Sequence, residues 1–244
     1  MRQYEAVIET IEKLGGIATL GQLNHEVFKI ESCEWKTKTP FASIRRIVQL
    51  DKNIYKIKPG LYALVKYKSK FESQGIFSED VVLKKTSKNE DFNHSYYQGL
   101  LLEIGNIKNM ITYVPPQDKN KLFLNRPLNS ISKIDKIFDF SYKELVDRAK
   151  TIDVIWFNQR KMLSSVFEVE HSTDIQNSLL KFNDLQDFNS EFYIVGSKVR
   201  KEEFLRKLNY TSFKEIKDRI KFIDYEFVSA LHTKIHELSS IGNL

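Results

Sequence analysis

The sequence predicts an α+β fold in two parts, a small helical domain followed by a larger α/β domain with a mixed central sheet. Apolar residues recur at helical spacing in the first 50 residues, whereas short runs rich in Val, Ile and Phe alternate with helical patterns after residue 92. The stretch at residues 69–91 is rich in Lys, Ser, Glu and Asn and lacks clear periodicity. We therefore expect domains at residues 1–68 and 92–244, joined by a linker.

The composition is that of a globular chain. Of the 244 residues, 41% are hydrophobic, which is enough for a substantial core. The single cysteine, Cys33, excludes an internal disulfide and any multi-cysteine metal site. No apolar run approaches the ~20 residues that span a bilayer, and the amphipathic start has no signal-peptide core. We expect a cytoplasmic protein without a membrane partner.

The net charge of +6 is carried by the first third of the chain. Residues 1–88 contain 16 Lys and Arg against 10 Asp and Glu, whereas the remaining residues contain 22 of each. Between Trp35 and Lys70 there are ten basic residues and one acid, Asp51. Such a stretch attracts a polyanion through counterion release, which favours nucleic-acid binding. The alternative is a solvated, lysine-rich surface.

Three helices and a hairpin are predicted in this basic region. Residues 3–14 form an amphipathic helix ended by two glycines, Leu20 to Phe28 form a second, and Thr39-Pro40 begin a third with a cap and a first-turn proline. Residues 54–64 are two strands around a Lys-Pro-Gly turn. Three helices followed by a basic hairpin make a winged helix-turn-helix domain.

This region resembles the winged-helix family called HARE-HTH over residues 1 to about 66. The resemblance is carried by Gly16-Ile17-Ala18-Thr19, Trp35, Lys38-Thr39-Pro40 and the segment Pro59 to Leu64. It implies that the third helix enters a groove of duplex DNA while hairpin lysines contact phosphates. The expected DNA-binding residues are Lys36, Lys38, Thr39, Ser43, Arg45, Arg46, Lys56 and Lys58. A winged helix that binds protein instead is the alternative.

Helical and strand patterns alternate in the second domain. The predicted helices are 93–108, 141–150, Thr173 to about Phe188, 201–208 and 225–238, and the predicted strands are 110–114, 152–157, 163–170, 192–196 and 220–223. A short strand at Asp80 to Leu83 is expected in the linker. Gln176, three residues after Thr173, suggests a capping box.

Two of these apolar strands carry three carboxylates. Asp153 lies in the first strand, and Glu168 and Glu170 lie two residues apart in the second, so the two glutamates share one face. A buried carboxylate costs several kcal/mol unless it is compensated, and hard oxygen ligands suit Mg²⁺. If the strands pair as a hairpin, the three acids converge on a magnesium site. The plainer alternatives are that Asp153 caps a strand or pairs with Arg148, and that the glutamates face solvent on an edge strand.

The order of Asp153, then Glu168-Val169-Glu170, a helix and an apolar strand resembles the PD-(D/E)XK nuclease superfamily over residues 93–224. The resemblance implies that Asp153 and Glu168 hold Mg²⁺, with Mn²⁺ as a possible substitute, and that Glu103 adds an acid to the catalytic set. It departs from the pattern at Glu170, which stands where the superfamily usually has lysine. Some restriction endonucleases of the superfamily carry Glu at this place.

The remaining candidates have supporting roles. Glu170 is either the base that accepts the proton of a water molecule or a ligand of a second ion. His171 orients a carboxylate or caps the next turn, whereas Gln98 and Gln176 are supporting residues with plain packing or capping alternatives. Lys181 lies too far along its helix to be assigned.

Together these patterns predict a metal-dependent DNA endonuclease of restriction type. Phosphodiester hydrolysis needs charge neutralisation and an activated water, which carboxylate-bound Mg²⁺ supplies. Because one site per chain must cut two strands, we expect a homodimer. One alternative is a DNA-binding regulatory protein with an inactive nuclease-like core. Another is a protein-binding winged helix on an RNA-processing nuclease.

Overall fold

The computed structural model describes residues 1–78, 87–171 and 174–241. They divide into two units, Met1–Phe92 with Ser229–Leu244 and Asn93–Val228. Each dividing point falls inside a long helix, one at Ser87–Ile107 and one at Tyr225–Ile241. The predicted domains, residues 1–68 and 92–244, concern parts of the chain that fold independently, and they remain a prediction.

The first unit packs three helices against a small antiparallel sheet of order β1-β3-β2. Its elements are α1 (Gln3–Lys13), β1 (Ile17–Thr19), α2 (Leu20–Glu26), α3 (Pro40–Leu50), β2 (Ile54–Lys58), β3 (Leu61–Leu64) and α4 (Lys68–Ser73). The three predicted helices and the hairpin are present, whereas β1 was not predicted. The core is formed by the periodic apolar residues, among them Val7, Ile11, Leu23, Ile44 and Val48.

The basic hairpin β2–β3 turns at Gly60. This residue has a φ of 72°, a left-handed conformation that glycine adopts without a steric penalty, as the Lys-Pro-Gly turn predicted. On the other side, β3 pairs with β1, with Ala18 opposite Tyr62. The pairing covers the inner edge of the hairpin and holds it on the helices.

The second unit is built on a five-stranded mixed sheet of order β10-β9-β8-β7-β4. Its elements are the greater part of α5 (Ser87–Ile107), β4 (Ile111–Tyr113), β5 (Leu122–Phe123), β6 (Arg126–Pro127), α6 (Lys143–Ala149), β7 (Val154–Phe157), β8 (Leu163–Glu170), α7 (Ile175–Asp184), β9 (Glu191–Gly196), α8 (Lys201–Leu208), β10 (Ile220–Asp224) and the first residues of α9 (Tyr225–Ile241), most of which belongs to the first unit. β8 pairs parallel with β9 and antiparallel with β7. The predicted α+β class with a mixed sheet is confirmed.

The strand pair β7–β8 is the predicted antiparallel hairpin, with Val154 opposite Phe167. β7 begins at Val154, so Asp153 precedes the strand by one residue, and the expectation that it lies inside the strand was wrong. β8 lies in the centre of the sheet and its Glu168 and Glu170 are both 3% exposed. The alternative of a solvent-facing edge strand is therefore wrong.

Helix α5 packs very close to its neighbours because it carries glycines at the contacts. A Cβ on Gly99 would lie 2.2 Å from the Phe123 ring, and one on Gly105 would lie 2.6 Å from Nε1 of Trp156. That indole nitrogen donates a hydrogen bond to the Leu101 carbonyl at 3.1 Å. A larger residue at Gly105 would force this helix away from the strand that follows Asp153, and one at Gly99 would clash with Phe123.

The helices around the expected linker differ from the sequence prediction. α5 begins at Ser87 rather than at residue 93, and α4 lies within the segment expected to be a linker. The short strand expected at Asp80 to Leu83 and the predicted cap Thr173 lie outside the described residues. α7 ends at Asp184 rather than near Phe188.

Across the described ranges, no helix has the length and apolar character needed to cross a membrane.

Candidate active site

Asp153 lies at the start of the β7–β8 hairpin and is 8% exposed. Its Oδ2 accepts a hydrogen bond from the backbone N–H of Val169 at 2.7 Å, which ties it to the residue between the two glutamates of β8. Its other oxygen, Oδ1, lies 3.3 Å from Nε2 of His94 on α5. Arg148, the partner considered from the sequence, instead pairs with Asp184. One carboxylate oxygen is thus fixed by the sheet and the other is directed to α5.

A second buried acid, Asp118, lies on the other side of His94. Its Oδ2 is 3.6 Å from the same imidazole nitrogen, and its Oδ1 pairs with Lys121 at 2.7 Å. Gln98 holds the two acids together, because its Nε2 donates to Asp118 Oδ2 at 2.7 Å and to the Asp153 carbonyl at 3.1 Å. Gln98 is fully buried, so its supporting role is a contact with the carboxylate cluster rather than one on the helix surface.

The charges of this cluster are strongly coupled. Burial opposes a charge on His94, but the hydrogen bonds and negative charges of Asp118 and Asp153 outweigh it and raise the pKa of His94 to about 10. Burial likewise opposes the charge on Asp118, yet hydrogen bonds from His94, Lys121 and Gln98 hold the pKa of that carboxyl well below its usual range. Without a metal ion, the imidazole bridges the two carboxylates as a cation.

This bridge makes the stability of the metal-free protein depend on pH. The pKa of His94 is raised to about 10 in the folded protein, whereas in the unfolded chain it returns to the ordinary histidine value near 6.5. The contribution is therefore complete below the unfolded pKa and decreases as pH rises towards the folded one. In urea unfolding with a chelator, we expect the free energy of unfolding to fall by about 1–2 kcal/mol between about pH 7 and about pH 9. His94→Gln should reduce the dependence of the free energy of unfolding on pH. An unchanged pH dependence would contradict the ion bridge between Asp118 and Asp153.

Glu168 is bound by the helix that follows its strand. Both its oxygens accept hydrogen bonds from Nζ of Lys181 on α7, at 2.9 and 3.0 Å, and the same ammonium donates to the Thr151 carbonyl at 3.0 Å. Lys181 is itself one-fifth exposed. The positive charge beside Glu168 is thus supplied by the helix that follows its strand.

Ser178 connects Glu168 to Glu170. Its hydroxyl lies 3.1 Å from Oε2 of Glu168 and also contacts Oε1 of Glu170, while Nη1 of Arg200 lies 3.7 Å from Glu170 Oε2. A serine has one hydroxyl hydrogen, so both contacts are hydrogen bonds only when one carboxyl is protonated. Burial and the negative charge of Asp153 raise the pKa of Glu168, although Lys181 acts in the opposite direction. The shared Ser178 hydroxyl thus couples Glu170 to Glu168, the carboxyl whose pKa is raised.

Other residues expected in the catalytic or supporting set have different neighbours. Glu103 forms an ion pair with Arg126. In the described ranges, neither Glu103 nor the pair of Glu168 and Glu170 joins Asp153 in a group of three ligands whose atoms all lie within 4.8 Å, so the three acids do not converge on one ion as expected. His171 Nδ1 lies 3.3 Å from the hydroxyl of Tyr225. Gln176 donates its backbone N–H to Asp174, which is the observed cap of α7. The catalytic role of Glu103 remains a prediction.

The basic residues expected to contact DNA lie on the first unit. Lys36, Lys38, Thr39, Arg45, Arg46 and Lys56 are exposed, whereas Ser43 and Lys58 are half-buried. Arg45 is held by Glu237 at 3.1 Å, and Lys36 lies 3.0 Å from Glu34. Thr39 precedes α3 as predicted, but its side chain does not cap the helix. Lys38 and Arg46 are the clearest candidates for phosphate contacts.

The sequence interpretation missed five contributors to this site, His94, Asp118, Ser178, Lys181 and Arg200. Helical spacing carried part of the signal, since His94 and Gln98 are four residues apart on α5, and Ser178 and Lys181 are three apart on α7. Pairs at these spacings share a face. Asp118 follows a double proline in irregular structure, where no periodicity marks it.

Comparison with known proteins gives a family match over most of the chain. Residues 76–243 match the family described as "Type II restriction enzyme NmeDI C-terminal domain". The chain is 29% identical over 98 residues to the protein described as "Type II restriction enzyme NmeDI" from Neisseria meningitidis serogroup C. This alignment covers 38% of the chain and 27% of that relative, so the chain spans about a quarter of the relative's length. No solved structure matches.

Proposed function

Because this chain belongs to the family of the type II restriction enzyme NmeDI C-terminal domain, we propose that it is a metal-dependent endonuclease that hydrolyses phosphodiester bonds in duplex DNA. The observation that carries the proposal is the cluster of Asp153, Glu168 and Glu170 at one end of the β7–β8 hairpin. Buried acids at such density require cations. The direct test is digestion of plasmid DNA with Mg²⁺ or Mn²⁺, and absence of cleavage with both ions would reject the enzyme.

Asp153 and Glu168 fit a divalent cation. Their oxygens are hard ligands, and the pKa of Glu168 is raised first by burial and then by the negative charge of Asp153, two effects that a bound cation would offset. Mg²⁺ bound there would neutralise charge on the scissile phosphate and lower the pKa of a water molecule. The proposed PD-(D/E)XK relationship assigns these two residues the same roles. Glu170, held by Ser178 and Arg200, shares the Ser178 hydroxyl with Glu168.

Lys181 would supply the positive charge that Glu170 cannot. In the metal-free site its ammonium neutralises Glu168, and the two contacts within 3.0 Å keep it at the carboxylate cluster. If Glu168 held an ion, the same ammonium would be free to contact the negatively charged phosphate oxygens. We assign it the electrostatic role that the superfamily lysine has on the strand.

The first unit would bind the DNA as a winged helix. Its positive charge, the exposed Lys38 and Arg46 near α3 and the hairpin lysines support this assignment. Contacts of this kind fix position on the duplex and make affinity depend on salt. The proposal retains the HARE-HTH relationship for this unit, and a homodimer for cleavage of both strands.

Removal of two basic side chains tests the DNA contact. The double variant Lys38→Ala, Arg46→Ala is expected to weaken duplex binding about tenfold and to reduce the salt slope by about 2 phosphates, because each residue would release one condensed counterion. Fluorescence anisotropy with a labelled duplex over a range of salt concentrations measures both quantities.

A matched control removes equal charge elsewhere. Lys143→Ala with Lys214→Ala takes two exposed lysines from the second unit and should leave the salt slope unchanged. If the two double variants weaken duplex binding equally, the basic residues of the first unit contribute only a general attraction to DNA and no specific contact. Unchanged affinity in the first variant would favour a winged helix that binds protein.

A further inference from the structure

The cluster of His94, Asp118 and Asp153 has the composition and spacing of a metal site. Their ligand atoms all lie within 4.8 Å of one another. The imidazole Nε2 is 3.3 Å from Asp153 Oδ1 and 3.6 Å from Asp118 Oδ2. Ligand atoms bonded at ~2.1 Å to one ion are about 3.0–3.5 Å apart in octahedral or tetrahedral geometry. The two distances therefore require little movement to accept an ion.

The surroundings orient these three ligands. Asp153 is anchored through its other oxygen by the Val169 N–H, and Asp118 through its other oxygen by Lys121. Each carboxylate thus keeps one oxygen directed towards His94. Fixed second contacts of this kind position metal ligands in proteins.

An unsatisfied acceptor lies at the same place. Gln98 is fully buried, and its Oε1 has no hydrogen-bond partner among the described residues, although Nε2 of the same amide binds Asp118 Oδ2 and the Asp153 carbonyl. A buried acceptor without a donor is costly. A hydrated ion beside the amide would bring a water molecule that can donate to it.

We propose that His94, Asp118 and Asp153 bind a first-row divalent transition-metal ion, in addition to the ion proposed at Asp153 and Glu168. An imidazole nitrogen favours such ions over Mg²⁺, whose preferred ligands are oxygens. Because Asp153 belongs to both sites, this proposal rests on the proposed nuclease function. The second ion would lie beside α5 rather than at Glu170. Glu170 is already engaged by Ser178 and Arg200.

The test measures Mn²⁺ binding without DNA by electron paramagnetic resonance. His94→Gln and Asp118→Asn should each weaken binding about 10²-fold, since each removes a direct ligand. The control His25→Gln replaces a histidine of the first unit and should bind Mn²⁺ as the wild type does. Unchanged affinity in both ligand variants would overturn the site.

A measurement on the wild type avoids dependence on variant folding. With ¹⁵N-labelled histidine, spin-echo spectra should show coupling of Mn²⁺ to a directly bound imidazole nitrogen, and His94→Gln should remove it. Absence of this coupling in the wild type would reject the site even if DNA is cleaved. Coupling in a wild type that cleaves no DNA would retain the site and reject the nuclease.

Discussion

Replacing Glu168 with glutamine is expected to reduce Mg²⁺-dependent cleavage of duplex DNA by about 10³-fold or more, because loss of a metal ligand removes several kcal/mol of transition-state stabilisation. The same reduction is expected for Asp153→Asn. Both acids are buried, Asp153 at the start and Glu168 near the end of the β7–β8 hairpin, so solvent cannot replace the charge that either substitution removes. Single-turnover cleavage of a plasmid, followed on a gel, measures the effect.

Three comparisons make this result specific. Duplex binding should be retained in both variants, since the basic residues of the first unit are unchanged. Glu191→Gln provides the matched control, because it changes an exposed glutamate of the neighbouring strand β9 that pairs with Lys221. Cleavage within about tenfold of wild type in both site variants would show that the carboxylates are structural.

Lys181→Met is expected to give the second largest loss, about 10²-fold in cleavage, because removal of one preorganised donor from a buried site has this order of effect. The substitution also leaves Glu168 without the ammonium that contacts both its oxygens at 2.9 and 3.0 Å. Lys181→Arg keeps the charge and should recover part of the activity. Single-turnover rates at saturating DNA separate this loss from one in binding.

The control for this variant is another lysine held by two acids. Lys207 of α8 is one-eighth exposed and pairs with Glu203 and Asp174 outside the carboxylate cluster. Lys207→Met should change thermal stability without reducing the rate about 10²-fold. If both methionine variants lose rate in proportion to their loss of stability, Lys181 has a structural role alone.

The hairpin at the centre of the site was predictable because its signals are local. Strand periodicity in residues 163–170 gave the bounds of β8, and the two-residue spacing placed Glu168 and Glu170 on one face, where both contact Ser178. Family resemblance added the metal-ligand roles of Asp153 and Glu168, which remain proposals. The start of β7 was missed by a small margin, since strand ends depend on pairing rather than on composition.

The cationic side chains and the additional candidate ligands of the site were less predictable from the sequence. The sequence shows that Ser178 and Lys181 share a face of α7, but not that this face turns towards β8. Similarly, His94 and Gln98 share a face of α5, but the sequence does not show that α5 packs closely on the hairpin, as it does where Gly105 meets Trp156. A catalytic role for Glu103 was inferred from resemblance, and in the fold this residue pairs with Arg126.

The sequence alone was enough to predict the α+β class, the concentration of positive charge before residue 89 and the two glutamates on one apolar strand. These properties depend on composition and on spacing along a few residues. The packing of the fold was needed to show which cationic side chains lie beside the carboxylates, namely Lys181 at Glu168, Arg200 at Glu170 and His94 between Asp153 and Asp118. A buried charge interacts strongly only with groups that are close to it in space, and helix packing sets these distances between residues that are far apart in the chain.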